Sequence, residues 1–370
     1  MSNFVMSQLS DCIARYQARI PGLAEIGRQL QGCTDLITLY EKCYPLLEQA
    51  MWSGTADFHA LLADYQALFR EQETLIAQRC QENNSGDDRH HFIIGIPVAD
   101  RPPHLRACLE SIYQVCQLFN YGGKRNGVWN KIKIVVAEDS RFDTNIRRHI
   151  ELVNEYRAKG LQVVHFGLEE QYELLHALPA NKREKLGKLL TTQTREKFYL
   201  KGQAANRNLS YLKFLQLTED KNRTLYYLVD SDQSLCVNRQ TASGDEAVYA
   251  LNYFHYADAI FRSTDTRMLT GKMVGDPPVS PSVMAANFLD DVAAFFTRLA
   301  KLGGSEACQF HGTQEKPGDA AYHDLAGLFG FENRQASFDY ACRLTGNHDH
   351  AVCLMDFASR LNAFFLGEHL

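Results

Sequence analysis

Two aspartates one residue apart, Asp230 and Asp232, follow the apolar and aromatic run Leu225-Tyr226-Tyr227-Leu228-Val229. Such a run has the length and two-faced apolar character of a buried parallel strand, so the carboxylates belong at its carboxyl end. Hard oxygen ligands at i and i+2 suit one divalent cation that keeps positions open for water and phosphate. A plain Asp-rich turn, with Asp230 capping backbone N–H groups, accounts for the same residues. Two further sets bear on the choice. Glu138-Asp139-Ser140 closes a second apolar run, Ile132 to Ala137, where a carboxylate can accept from a base or ribose, or can simply cap a helix. Lys201-Gly202-Gln203-Ala204-Ala205-Asn206-Arg207-Asn208 opens a helix with small residues that let a ligand approach the backbone. Arg207 can hold a phosphate or carboxylate through two hydrogen bonds.

The elements that must position these residues alternate. Phe92 to Val98 is a near-continuous apolar run, hence a strand, and Pro102-Pro103 opens a helix through Leu105, Cys108, Leu109, Ile112 and Val115. The strand Ile132 to Ala137 follows, then a helix around Asn145 to Gly160, then a strand from Leu161 to Phe166. This β-α-β-α-β order predicts a parallel, doubly wound sheet. Glu169 to Phe198 reads as one or two helices broken at Pro179, with Lys182, Arg183, Lys185 and Lys188 as a solvated face.

Upstream, residues 1 to about 85 show only helical spacing, punctuated by Pro21-Gly22, Gly32 and Ser53-Gly54 into three or four helices. This segment reads as a small bundle docked on the main domain, or an oligomerisation surface. Gln81 to Arg89, rich in Asn, Asp, Ser and Gly, reads as a linker. Downstream, Ala247 to His255 alternates and Asp258-Ala259-Ile260-Phe261 is a short apolar run. Thr270 to Pro281, with Gly275-Asp276-Pro277-Pro278, is an ordered but irregular loop. A helix from Val283 to Leu302 carries Asp290 and Asp291, and Asn347-His348-Asp349-His350 precedes a final amphipathic helix, Val352 to Phe365. The division expected is a helical region over 1–88, an α/β domain over 89–346, and a loop and helix over 347–370.

Composition excludes some classes. A net charge of −5 and a pI near 6.2 give no electrostatic footprint for nucleic acid or an anionic membrane. No apolar run approaches the roughly 18 residues that a membrane span needs, and Met1-Ser2-Asn3-Phe4 lacks a signal pattern. The ten cysteines form no C-x-x-C, and Cys108, Cys116 and Cys353 fall inside apolar helical patterns. A reduced, cytoplasmic chain is the expectation.

Taken in order, these features resemble the GT-A glycosyltransferases, in particular the family 2-like branch, over about residues 90 to 300. The matching features are a first strand ending near Pro97, a second ending in acidic residues, the Ala205-Asn206-Arg207-Asn208 helix entrance and Asp230-Ser231-Asp232. The resemblance implies a GT-A-like doubly wound, mostly parallel sheet. It implies a nucleotide-sugar donor held by Pro97, Val98, Asp139, Lys201, Arg207 and Asp230, and an acceptor that the residues do not identify. It also implies Mn2+ or Mg2+ on Asp232, with Asp230 on the ribose or sharing the metal, and a late histidine, His350 or else His348, completing the site. A divalent ion neutralises charge that builds on a departing diphosphate. An inverting enzyme needs a base as well. Asp290 and Asp291 are the candidates, since neighbouring carboxylates raise one another's pKa, and Asp276 is their rival. The family's usual Glu-Asp followed by an aromatic-basic motif is absent, which leaves inversion or retention open.

Two other readings use the same sheet. A sugar-nucleotide-forming nucleotidyltransferase commonly has a glycine-rich loop after the first strand, and Val98 to Pro103 contains no glycine. A catalytically silent binding or scaffold protein would keep the sheet and assemble through its N-terminal helices, and the paired aspartates count against it.

Overall fold

The computed structural model describes residues 7–33, 35–187, 189–241 and 244–270, together with 297 and 301. The chain divides after Thr270 into two compact units, and the elements below belong to the first.

Four helices open the chain: α1 (Ser7–Tyr16), α2 (Leu23–Leu30), α3 (Leu36–Ser53) and α4 (Phe58–Glu82). Next come β1 (His91–Val98), α5 (Pro102–Phe119) and a small antiparallel hairpin of β2 (Lys124–Arg125) and β3 (Val128–Trp129). Then follow β4 (Ile132–Glu138), α6 (Asp143–Ala158), β5 (Gln162–Phe166), α7 (Leu168–Ala177) and α8 (Ala180–Leu186). After a 3-10 turn over Arg195–Leu200 come α9 (Gln203–Leu217) and β6 (Thr224–Leu228). A second antiparallel hairpin, β7 (Val237–Thr241) and β8 (Gly244–Val248), precedes α10 (Tyr253–Ser263).

Among the described residues β1, β4, β5 and β6 form one wholly parallel sheet in the order β5-β4-β1-β6. Alternate side chains leave a strand on opposite faces, and the two cores follow that period. Phe92, Ile94, Ile96 and Val98, with Ile132, Ile134 and Val136, join α1 to α6 and α10 in the larger core. Ile93, Val135, Ala137 and Phe166 face Leu175, Leu209 and Phe214 of α7 and α9 in the smaller one. The α/β class and the parallel sheet read from the sequence are therefore present, with helices on both faces. No described helix is long and apolar enough to cross a membrane.

Three local features go beyond what the sequence pattern shows. The segment expected as a linker is clamped: Arg89 is buried and donates to Glu73 Oε1 at 2.6 Å and to Glu73 Oε2 at 2.7 Å. Gln81 to Gly86 and Asp88 stay exposed, with Asn84 in the left-handed region at φ 49°. The N-terminal helices also share one continuous apolar core with the sheet. Finally, the short apolar run near Phe261 lies in α10, whose cap Asn252 accepts from His255 N at 3.2 Å. Phe254 and Asp258, four residues apart, are its buried face.

Gly95 lies opposite Val135 and Leu228, and an added Cβ would collide with the buried Phe214 ring and meet Leu228 Cδ2 at 3.0 Å. Gly95→Ala is expected to cost about 1–3 kcal/mol by overpacking. Phe214→Leu in the same chain should recover part of that loss, measured by urea unfolding of the two single variants and the double.

Candidate functional site

The order β5-β4-β1-β6 reverses direction at β1. The chain steps outward from β1 to β4 to β5, then crosses back to place β6 on the far side of β1. In open parallel sheets that switch point, at the carboxyl ends of the strands, is where ligands bind. Local chemistry opens the crevice further. Val229 N donates to Gly95 O at 3.0 Å, so Gly95 faces β6, and Asp139 N donates to Val98 O at 2.8 Å, so Val98 faces β4. Alternation then turns Pro97 toward β6. Proline has no N–H, so the β1–β6 ladder stops there and Asp230 leaves the sheet.

Asp230 and Asp232 sit at this edge with half-open side chains, 35% and 55% exposed. Arg207 Nη2 donates to Asp230 Oδ1 at 2.5 Å, and Gln203 Nε2 approaches the same oxygen at 3.4 Å. Residues 203 and 207 are one turn apart on α9, so a single helix face reaches the carboxylate. The loop is closed by Asp230 N donating to Gln233 Oε1 and Gln233 N donating to Asp230 O, both at 3.0 Å. Arg101 Nη1 stands 4.0 Å from Asp232 Oδ2. Cys108 of α5 feels both aspartates: burial, with their charge added, pushes its thiol up to about 12.

Entry into α9 depends on Gly202, whose φ of 83° belongs to the left-handed region that suits a residue without Cβ. Next to that bend the Lys201 side chain is fully buried, donating to Asp139 Oδ1 at 2.5 Å and to Glu138 O at 3.2 Å. Burial pushes the Asp139 carboxyl up, against the pull of the Lys201 ammonium, and burial lowers Lys201. Asn206 is also buried, donating to Ala137 O at 3.1 Å and tying α9 to β4.

Behind Asp139 lies Glu138, with its side chain wholly buried. One oxygen accepts from Asp139 N and Ser140 N at 3.1 and 2.9 Å. The other meets His149 Nδ1 at 2.8 Å and His165 Nε2 at 3.2 Å. Burial alone would raise this carboxyl, yet hydrogen bonds from the two imidazoles and from Ser140 hold it well below the usual carboxylate range. Ser140 Oγ accepts from Asp100 N at 2.7 Å, and Asp100 in turn accepts from Arg141 N at 3.0 Å and Phe142 N at 3.2 Å. Asp100, at φ 51°, thus stitches the end of β1 to the start of α6.

The residues singled out from the sequence fall as follows. Pro97, Val98, Asp139, Lys201, Arg207, Asp230 and Asp232 all lie along the carboxyl edge of the sheet. Asp276, Asp290, Asp291, His348 and His350 lie outside the described residues. Among the described residues no three His, Cys, Asp or Glu side chains are arranged so that they could hold a metal ion. The two aspartates nevertheless suit Mg2+ or Mn2+, which commonly take one or two carboxylates and complete their shell with substrate phosphates. Arg101, His149 and His165 were not among the residues singled out, and Glu138 entered only beside Asp139. His165 carried a signal, since it sits beside the end of a strand on the same edge, while His149 looked like any polar helix residue.

A cavity of about 450 Å3 lined by Tyr44, Pro45, His255 and Arg262 lies elsewhere, between α3 and α10. It contains none of these residues. Compared with known proteins, the chain matches no family model, no curated protein and no solved structure.

Proposed function

We propose that the chain is a metal-dependent glycosyltransferase with a GT-A-like sheet, moving a sugar from a nucleoside diphosphate donor to an acceptor. One observation carries this reading: Asp230-Ser231-Asp232 leaves the sheet at its topological switch point, beside the amino end of α9 and Arg207. A helix amino terminus and a guanidinium together suit a diphosphate. Asp232, the more open of the two, would hold the cation, with Asp230 sharing it or receiving the ribose. The bound ion supplies Lewis-acid stabilisation of charge on the departing diphosphate. On this reading Asp139, steadied by Lys201, faces the nucleobase beside Pro97 and Val98. Arg207 exchanges part of its contact with Asp230 for a phosphate oxygen and holds the diphosphate while the bond to the sugar breaks.

The test is a melting-temperature screen of ADP, CDP, GDP and UDP with and without Mn2+. A ligand that binds only the folded chain stabilises it by about 2.7 kcal/mol at a hundredfold excess over Kd. The expected result is that one diphosphate raises the melting point, and does so only with the metal. No shift with any of the four overturns the assignment.

A further inference from the structure

We infer that Glu138 is a positioning residue of the donor-binding end: its carboxylate fixes the backbone that carries Asp139 and Ser140, and its charge keeps Lys201 in place beside Asp139. The inference rests on the donor site proposed above. Five parts of the fold meet at this one residue. Its side chain reaches His149 of α6 and His165 of β5, and takes the N–H groups of Asp139 and Ser140. Its carbonyl takes Gln171 Nε2 of α7 at 2.7 Å and Lys201 Nζ at 3.2 Å. A carboxylate that only terminated a strand would face solvent, and this one has no exposed surface. Burying it has a cost, visible in His149, whose Nε2 is enclosed with no hydrogen-bond partner among the described residues.

Two jobs can be separated. The first is geometric: Glu138 Oε1 holds two consecutive amides, so Asp139 cannot rotate away from Lys201. The second is electrostatic. The charged groups around Lys201 are Asp139 at 2.5 Å and Glu138, and both favour the ammonium against burial. The charged or titratable groups facing Glu138 itself are Asp139 just after its strand, His149, His165 and Lys201, and Asp100 acts in turn on Asp139. Replacing Glu138 by glutamine keeps an oxygen for the two amides and removes only the charge. Replacing it by alanine removes both.

The experiment titrates the full chain, Glu138→Gln and Glu138→Ala with ADP, CDP, GDP and UDP in Mn2+, from neutral to alkaline pH, alongside amide hydrogen exchange. In Glu138→Gln the best diphosphate should bind nearly normally at neutral pH. Its alkaline loss of affinity should move to lower pH, because Lys201 surrenders its proton sooner. Glu138→Ala should lose about 10- to 100-fold in affinity, the range typical of removing a group that orients a ligand-binding residue. Its Asp139 and Ser140 amides should exchange freely while those of Phe92 to Val98 stay protected. An unshifted alkaline limb in Glu138→Gln, or wild-type affinity in Glu138→Ala, overturns the inference and leaves the donor site standing. A wild-type chain that binds none of the four overturns the donor site itself.

Discussion

Asp232→Ala is expected to abolish sugar transfer while leaving the fold intact. Its carboxylate is 55% exposed, and the nearest cation, Arg101, stands 4.0 Å away, so little folding energy depends on it. Substitutions at such sites usually change stability by no more than about 0.5 kcal/mol. On the proposed reading, the variant loses the more open of the two carboxylates that would hold a divalent ion. An ion that neutralises a departing diphosphate supplies several kcal/mol in the transition state, so kcat/KM should fall on the order of a thousandfold. Nucleoside diphosphate binding should lose its dependence on Mn2+. Arg101→Ala is the control, since at 4.0 Å and in solvent the pair contributes little, and it should change kcat/KM by no more than a few fold. Asp230→Ala should be more damaging to binding than a lost metal ligand alone implies. It also frees Arg207, whose Nε is already enclosed without a hydrogen-bond partner among the described residues. Transfer at the wild-type rate by Asp232→Ala would remove the metal site, and the enzymatic reading with it.

The sheet was legible because buried parallel strands announce themselves. Phe92 to Val98 and Ile132 to Ala137 are apolar on both faces, as a doubly covered strand is. Leu225 to Leu228 carries the same pattern but lies in β6, at the edge of the sheet among the described residues, half-buried and with Leu228 47% exposed. The acidic strand ends and the start of α9 could be placed along one edge for the same reason, since parallel strands all finish on one side. The rest was less legible for physical reasons. Val237–Thr241 and Gly244–Val248 pair with each other and not with the main sheet, and their sequences VNRQT and GDEAV lack apolar alternation strong enough to mark a strand. Composition at Gln81 to Arg89 is that of a loop, and nothing local reveals that Arg89 reaches back 16 residues to Glu73. Glu138 was quoted only as the companion of Asp139. Its importance depends on His149 and His165, 11 and 27 residues onward, which converge only when α6 and β5 have packed.

Arg89→Ala is expected to be strongly destabilising, costing about 3–5 kcal/mol. Arg89 and Glu73 have side chains only 6% and 1% exposed, and the pair is bidentate at 2.6 and 2.7 Å. The guanidinium also reaches Asp87 Oδ2 at 2.9 Å and lies 4.8 Å from the centre of the Tyr121 ring. Removing it strands a buried carboxylate with Gly122 N, at 2.9 Å, as its one remaining backbone donor. Lys131 offers little relief, because its ammonium is engaged by the carbonyls of Asp87 and Arg89 and by Asp87 Oδ2 at 3.5 Å. The sign of the pH dependence identifies the cause. Burial already pushes the Glu73 carboxyl up and Arg89 opposes it, so in the variant the folded carboxyl rises further above its unfolded value near 4.3. A carboxyl raised in the folded state weakens stability above its unfolded pKa, so the deficit is largest at neutral pH and shrinks as acid protonates Glu73. Urea unfolding at neutral and mildly acidic pH should show that narrowing. Glu73→Gln combined with Arg89→Met should cost less than Arg89→Ala alone, since no uncompensated charge is left inside. A deficit that does not change with pH would mean that the loss comes from packing against Tyr121 and not from the stranded charge.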